Sequence, residues 1–284
     1  MKGKTVSLVL GSGGARGYAH IGVIRELEKQ GFIIKSISGS SIGALVGGLY
    51  ASGKLDEYEE WVTSFKVIDI LKLIDFSFSK QGMLNGDRIF NKIAEIIGDI
   101  NIEDLPISFT ATATDIINKK EVWFQKGSLT DAIRASISIP TIFTPKEING
   151  KVFFDGGILN PIPILPMASE FTDLIIAVNL GDDSNINKKH QHIFKKDVGY
   201  IQKNIADFLQ KNLSKNDNLN YFQVINKSIE TMQEVISRYQ LASHRPDIMI
   251  NISNKACDFY DFHKAKELIN YGKAVTQDTL KLNI

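Results

Sequence analysis

Apolar and polar positions along the chain repeat with two different periods that take turns. Thr5 to Leu10 is a short, β-branched apolar run closed by Gly11, which predicts a strand. The stretch that follows carries Ile21, Ile24 and Leu27 at helical spacing and stops at Gly31. Phe32 to Ser38 reads as a second strand, and Ser41 to Ala51, small and apolar with Gly53 just beyond, reads as a buried helix. Leu55 to Ile100 is mostly helical in pattern. Ile107 to Thr114 and Glu121 to Gln125 predict strands about a turn near Asn118, and Lys146 to Phe154 predicts a hairpin around Asn149 and Gly150. Two late strands, Leu174 to Asn179 and Asp247 to Ile252, flank a long polar segment from His190 to Tyr239 whose period is again helical, and Phe262 to Leu282 closes the chain as a helix. This alternation predicts an α/β fold with a parallel beginning.

No internal repeat, low-complexity tract or Gly/Pro/Ser-rich linker divides the pattern, so residues 1–284 are expected to form a single domain. A hydrophobic fraction of 43% with 23% charged residues is that of an ordinary soluble chain, and a net charge of +1 gives no bulk attraction to nucleic acid. Cys257 is alone, and no Cys/His cluster has zinc-site spacing, so neither a disulfide nor a metal is expected and a reducing, cytoplasmic setting is favoured. The apolar run from Val6 to Leu10 is too short for a secretory signal. Ile158 to Ala168 is interrupted by Pro161, Pro163 and Pro166 and falls short of the roughly 20 residues that span a bilayer. A soluble or membrane-peripheral protein is expected.

Three glycine-rich turns carry the candidate chemistry. Gly39-Ser40-Ser41-Ile42-Gly43 is a GxSxG sequence placed where a strand turns sharply into a helix. A serine on such an elbow is pushed out of the sheet edge, at a helix amino terminus that favours developing negative charge. The blander alternative is a tight turn with an N-capping serine. Gly11-Ser12-Gly13-Gly14-Ala15-Arg16-Gly17 also joins a strand to a helix, and the unblocked N–H groups of Gly13 and Gly14 suit an oxyanion. Its rival reading, a dinucleotide loop, puts Arg16 where the third glycine belongs and finds no carboxylate around residue 35. Asp155-Gly156-Gly157 ends a predicted strand, a carboxylate that a substrate or another backbone can approach closely; in isolation such a triplet is a turn.

Taken in order, the basic glycine loop, the GxSxG elbow about 25 residues later and the DGG turn resemble the patatin-like phospholipases. Gly17 to Val23 looks like that family's first helix, Arg134-Ala135-Ser136-Ile137-Ser138-Ile139-Pro140 like its R-A-S-x-x-x-P segment, and Asp155 to Pro163 like its D-G-G-x-x-x-N-x-P stretch. Residues about 5 to 180 fit, Arg245 to Ala274 resembles the carboxy-terminal part of bacterial members, and the polar helical segment about 185–240 reads in part as an insertion.

The resemblance implies a three-layer α/β/α fold with a mostly parallel central sheet. It also implies a Ser41–Asp155 dyad, an oxyanion loop of Gly13, Gly14, Arg16 and Gly17, and supporting turn glycines Gly39, Gly43, Gly156 and Gly157. The partner it implies is a lipid ester, with peripheral membrane contact, no nucleic acid and no cofactor; the oligomeric state is left open. The five histidines, His20, His190, His192, His244 and His263, read as packing, capping or solvated residues, so no catalytic triad is expected. A broad apolar face over Ile68 to Phe78 suits core packing, or else the edge of an acyl channel or a bilayer. Lys188, Lys189, Lys195 and Lys196 read as a solvated face or a contact to anionic lipid. Two other classes stay open: a non-catalytic regulatory member of the same fold, against which the intact Ser41 and Asp155 argue, and a nucleotide-binding protein using Gly11 to Gly17.

Overall fold

The computed structural model describes residues 2–65, 86–140, 142–194 and 221–282. Their strands all join one sheet: β1 Thr5–Leu10, β2 Ile33–Ser40, β3 Ser108–Asp115, β4 Lys120–Phe124, β5 Lys146–Ile148, β6 Lys151–Asp155, β7 Leu174–Asp182 and β8 Ile248–Ser253. The order is β5-β6-β3-β2-β1-β7-β8, with β4 on β3 as a side branch. Pairings β3–β2, β2–β1, β1–β7 and β7–β8 are parallel, whereas β4, β5 and β6 pair antiparallel. Parallel strands covered on both faces need near-continuous apolar runs, which is what β1 and β7 supply.

The helices are α1 Tyr18–Lys29, α2 Ile42–Ala51, α3 Leu55–Thr63, α4 Asp87–Ile97, α5 Leu129–Ser136, α6 Tyr221–Ser243 and α7 Ala265–Leu282. Val6, Leu8 and Leu10 of β1 share one core with Ile176 and Val178 of β7, Ile21 and Leu27 of α1, Leu45 and Leu49 of α2 and Leu268 of α7. Val9 and Ala177 point the other way, onto Ile162, Ile164 and Met167, with Leu241 of α6 packed alongside. Helices therefore lie on both sides of the sheet, giving the three-layer α/β/α arrangement.

The expected strands and the amino-terminal and carboxy-terminal helices are present, with shifts of up to three residues at the ends of the strands and of the last helix. The helix after β1 begins with a single 3-10 turn, Gly14–Gly17. Helix α5 has no counterpart in the periodicity reading; it starts where the Ser128 side chain accepts a hydrogen bond from the Asp131 N–H. The apolar segment Ile68 to Phe78 and the lysines Lys195 and Lys196 lie outside the described residues. No described helix is long and apolar enough to cross a membrane.

Candidate active site

Strand register brings Ser41 and Asp155 together. Strands β2 and β6 both pair with β3 on the edge opposite β4, one after the other: Ser40 sits beside Thr112, and Asp155 sits beside the next residue, Ala113. Because β2 runs parallel and β6 antiparallel to β3, the two strands meet end to end. The residue after the end of β2 is Ser41, and the last residue of β6 is Asp155.

Ser41 adopts φ 56° and ψ −125°, a left-handed conformation that a non-glycine residue takes only when its surroundings force it. Here the force is close packing of the two flanking glycines. A side chain on Gly39 would place its first carbon 2.4 Å from the Gly43 carbonyl oxygen, and one on Gly43 would come within 2.1 Å of the Leu10 carbonyl oxygen. The elbow's own N–H is held as well, donating to Ser136 Oγ at 2.9 Å. Ser41 Oγ donates to Asp155 Oδ2 at 2.5 Å, with both residues only 4% exposed.

Every polar atom of Asp155 has a partner. Its N–H donates to the Ser138 carbonyl at 3.0 Å, and its carbonyl accepts from Thr114 Oγ1 at 2.9 Å. Oδ1 accepts from the Gly157 N–H at 2.7 Å, which leaves Oδ2 for the serine. Burial pushes the carboxyl up to about 7, against the pull of the Ser41 and Gly157 hydrogen bonds, which favour the charged form. Upstream, Arg134 lies over the Phe90 ring at 3.8 Å and donates to Ser138 Oγ at 2.6 Å and to the Thr144 carbonyl at 3.0 Å, bracing the segment that leads to β5.

The glycine loop folds against this pair. Gly11 N–H donates to the Val178 carbonyl, Ser12 N–H to the Pro161 carbonyl and Ala15 N–H to the Phe259 carbonyl. Among the described residues, no hydrogen bond uses the N–H of Gly13 or of Gly14. Arg16 Nε donates to the Gly13 carbonyl at 3.1 Å, so this arginine fastens the loop. Gly17 is a packing glycine, whose first side-chain carbon would lie 2.2 Å from Ile42. The loop reaches the Ser41–Asp155 pair through Ser12: around the bare Cα of Gly157 gather Ser12 Oγ, Asp155 Oδ1 and Gln233 Nε2 of α6. Gly156 likewise abuts the Thr112 carbonyl.

No described histidine touches Ser41. His20 is fully buried, its Nε2 2.8 Å from the Gly11 carbonyl oxygen, and burial pulls its imidazole down to about 4. It is therefore neutral near pH 7 and donates from Nε2, a second brace for the glycine loop. His190 departs from the solvated role expected for it: it packs beside Tyr271 and bonds Asp278 of α7 at 2.6 Å. The described residues hold no group of His, Cys, Asp and Glu suited to a metal.

Sequence reasoning missed the parts played by Ser136, Thr114 and Gln233. No local signal marks Thr114 or Gln233, and Ser136 stands in the sequence only as a letter of the R-A-S-x-x-x-P segment, with no part assigned to it. Ser136 meets a residue 95 positions away, and Gln233 belongs to a polar helix whose docking no period reveals.

Residues 8–168 match the family model of the patatin-like phospholipases. An uncharacterized NTE family protein of Mycobacterium bovis is 34% identical over 97% of this chain and 91% of its own length. Lysophospholipase NTE1 of Saccharomyces cerevisiae is 32% identical over 64% of this chain, which amounts to 11% of that protein. VipD of Legionella pneumophila, a crystal structure, shares the fold with a TM-score of 0.50 at 16% identity, over 99% of this chain and 67% of that one. With a model covering more than half of its length and a relative matched nearly end to end, the chain belongs to the patatin-like phospholipase family, as a hydrolase of lipid esters.

Proposed function

We propose that Ser41 is the nucleophile and Asp155 its general base in a two-step acyl transfer on lipid esters. Asp155 Oδ2 takes the serine proton as Oγ attacks the ester carbonyl, then gives it to the departing alcohol as the ester bond breaks. Water, deprotonated by the same carboxylate, attacks the acyl-serine; the proton returns to Ser41 Oγ and a fatty acid leaves. The N–H groups of Gly13 and Gly14, together with that of Ile42 at the start of α2, hold the oxyanion. Arg16, Gly17 and His20 keep the glycine loop in shape for that task.

The observation that carries this reading is the buried 2.5 Å contact between Ser41 and Asp155. Its electrostatics support it: a carboxyl near 7 is a far better proton acceptor than an ordinary carboxylate and is still largely ionised at slightly alkaline pH. No imidazole is needed. Single-chain phospholipids are the proposed first substrates, by similarity to lysophospholipase NTE1 of Saccharomyces cerevisiae. We place the enzyme in the cytoplasm, at the membrane periphery; the lone Cys257 supports a reducing compartment.

The test is turnover of a lysophospholipid and of a short-chain p-nitrophenyl ester by the parent, Ser41→Ala and Asp155→Asn. Each variant should lose activity by about 10³-fold or more while staying folded. In the parent, kcat/KM should fall tenfold per pH unit below about 7, as the base is protonated. Full turnover by either variant rejects the dyad.

A further inference from the structure

Helix α6 exposes apolar residues on the face that a core-packed helix would bury. Toward the site it turns Glu230, whose Oε1 lies 3.9 Å from Arg16 Nη2, then Gln233 beside Gly157, and Gln240, which donates to the Leu159 carbonyl at 3.5 Å. Away from the site it exposes Val224, Met232, Val235 and Tyr239, which are 45%, 55%, 42% and 74% accessible. At roughly 100° per residue these four fall within an arc of about 80°, so they form one stripe and not a scatter. In a helix packed on a core, such a stripe is the buried face.

The surroundings of the stripe say what it suits. Lys227 and Arg238 line one side of it, and each is paired along the helix with an acid, Glu230 and Glu234 respectively. Paired cations and anions beside an apolar strip match a zwitterionic headgroup layer above acyl chains. Tyr239 adds an aromatic body with a hydroxyl, the kind of side chain that settles at headgroup depth. Most telling is position: the opposite face of the same helix borders the turn that carries Asp155. A lipid surface lying on the stripe would be about one helix diameter, roughly 10 Å, from that turn.

We propose that the outer face of α6 is the surface by which this enzyme docks onto the lipid aggregate holding its substrate. The proposal rests on the reading of the chain as a lipid ester hydrolase, and it assigns the docking to Val224, Met232, Val235 and Tyr239. Peripheral helices bind in this way, with the apolar stripe sunk to the boundary between headgroups and chains.

The experiment uses the full chain with phosphatidylcholine vesicles, read by co-sedimentation, and in parallel a soluble short-chain ester. Met232→Asp and Val235→Asp should each weaken vesicle binding by about tenfold or more. Both should leave turnover of the soluble ester as in the parent, which shows that they fold. A second readout needs no loss of function: a polarity-sensitive fluorophore on Val235→Cys should shift to the blue when vesicles are added. Cys257 will not compete for the label, since it is buried and its thiol is pushed up to about 12. Unchanged vesicle binding by both aspartate variants, or a fluorophore that ignores lipid, overturns the proposal. So does a lipid-free change of oligomeric state in the variants, which would make the stripe a contact between copies of the chain. A parent that turns over no ester yet binds vesicles through the stripe defeats the hydrolase reading and leaves the docking surface standing.

Discussion

Two helices flank the site and could hardly be held more differently. Nine of the ten residues of α2, which begins right after Ser41, are buried. None of the described side chains of α6, 23 residues long, is fully buried. The difference separates two requirements of a lipid hydrolase. The proposed chemistry needs Ser41 fixed to within a fraction of an ångström, and only dense packing gives that. Access to an insoluble substrate needs an apolar surface next to the site, which by its nature contributes little to folding.

Breaking the α2 side should be the costlier act. Gly43→Ala drives a methyl to 2.1 Å from the Leu10 carbonyl oxygen, a backbone that cannot swing away. A loss of about 3 kcal/mol or more is expected, read as a collapse of the melting temperature. A variant melting with the parent would abolish the contrast.

Removing the buried charge should have the next largest effect, and in the opposite direction. Asp155 holds its proton up to about pH 7 in the fold but only to about 4 when unfolded, so across that window the unfolded state binds fewer protons and stability falls as pH rises. Three pH units set a ceiling of about 4 kcal/mol on the penalty at pH 8. Asp155→Asn should recover about 2 kcal/mol of it in urea titrations, with the gain shrinking as pH is lowered toward 4. A variant no more stable than the parent at pH 8 would mean that the carboxylate is better solvated than its burial implies.

Ser136→Ala sharpens the comparison further. It leaves the Ser41 N–H buried without its acceptor, for a loss of about 1–2 kcal/mol. As a positioning residue, Ser136 should show its removal as lower kcat at unchanged KM; a purely structural role would leave kcat alone. The smallest effect belongs to α6: Val224→Ser should shift stability by no more than about 0.5 kcal/mol, since that side chain is 45% exposed.

What could be read from the sequence follows the same division. The two strand-to-helix turns were legible because their requirements are local: a β-branched run, then glycines at set offsets, then a small apolar helix. The meeting of Ser41 with Asp155 was not local, and order of motifs stood in for geometry there; the periodicity alone left DGG a turn. Helix α5 escaped because it is only eight residues long: its buried Leu129, Ala132, Ile133 and Ser136 keep helical spacing, but two turns, half of them small residues, are too short a run to stand out. The period of α6 was visible, yet period does not say which face meets protein. His190, placed among lysines, looked solvated until α7 supplied Asp278 from 88 positions away.

The end-to-end meeting of β2 and β6 on one edge of β3 also has a consequence for synthesis in the cell. A chain emerging from the ribosome presents its serine more than a hundred residues before the aspartate, and β3 must already be in place to receive both. Contacts of such long range form late. If the proposed dyad carries the reaction, the nascent protein has no lipolytic power to turn on nearby membranes, and only a molecule that has completed its sheet becomes an enzyme.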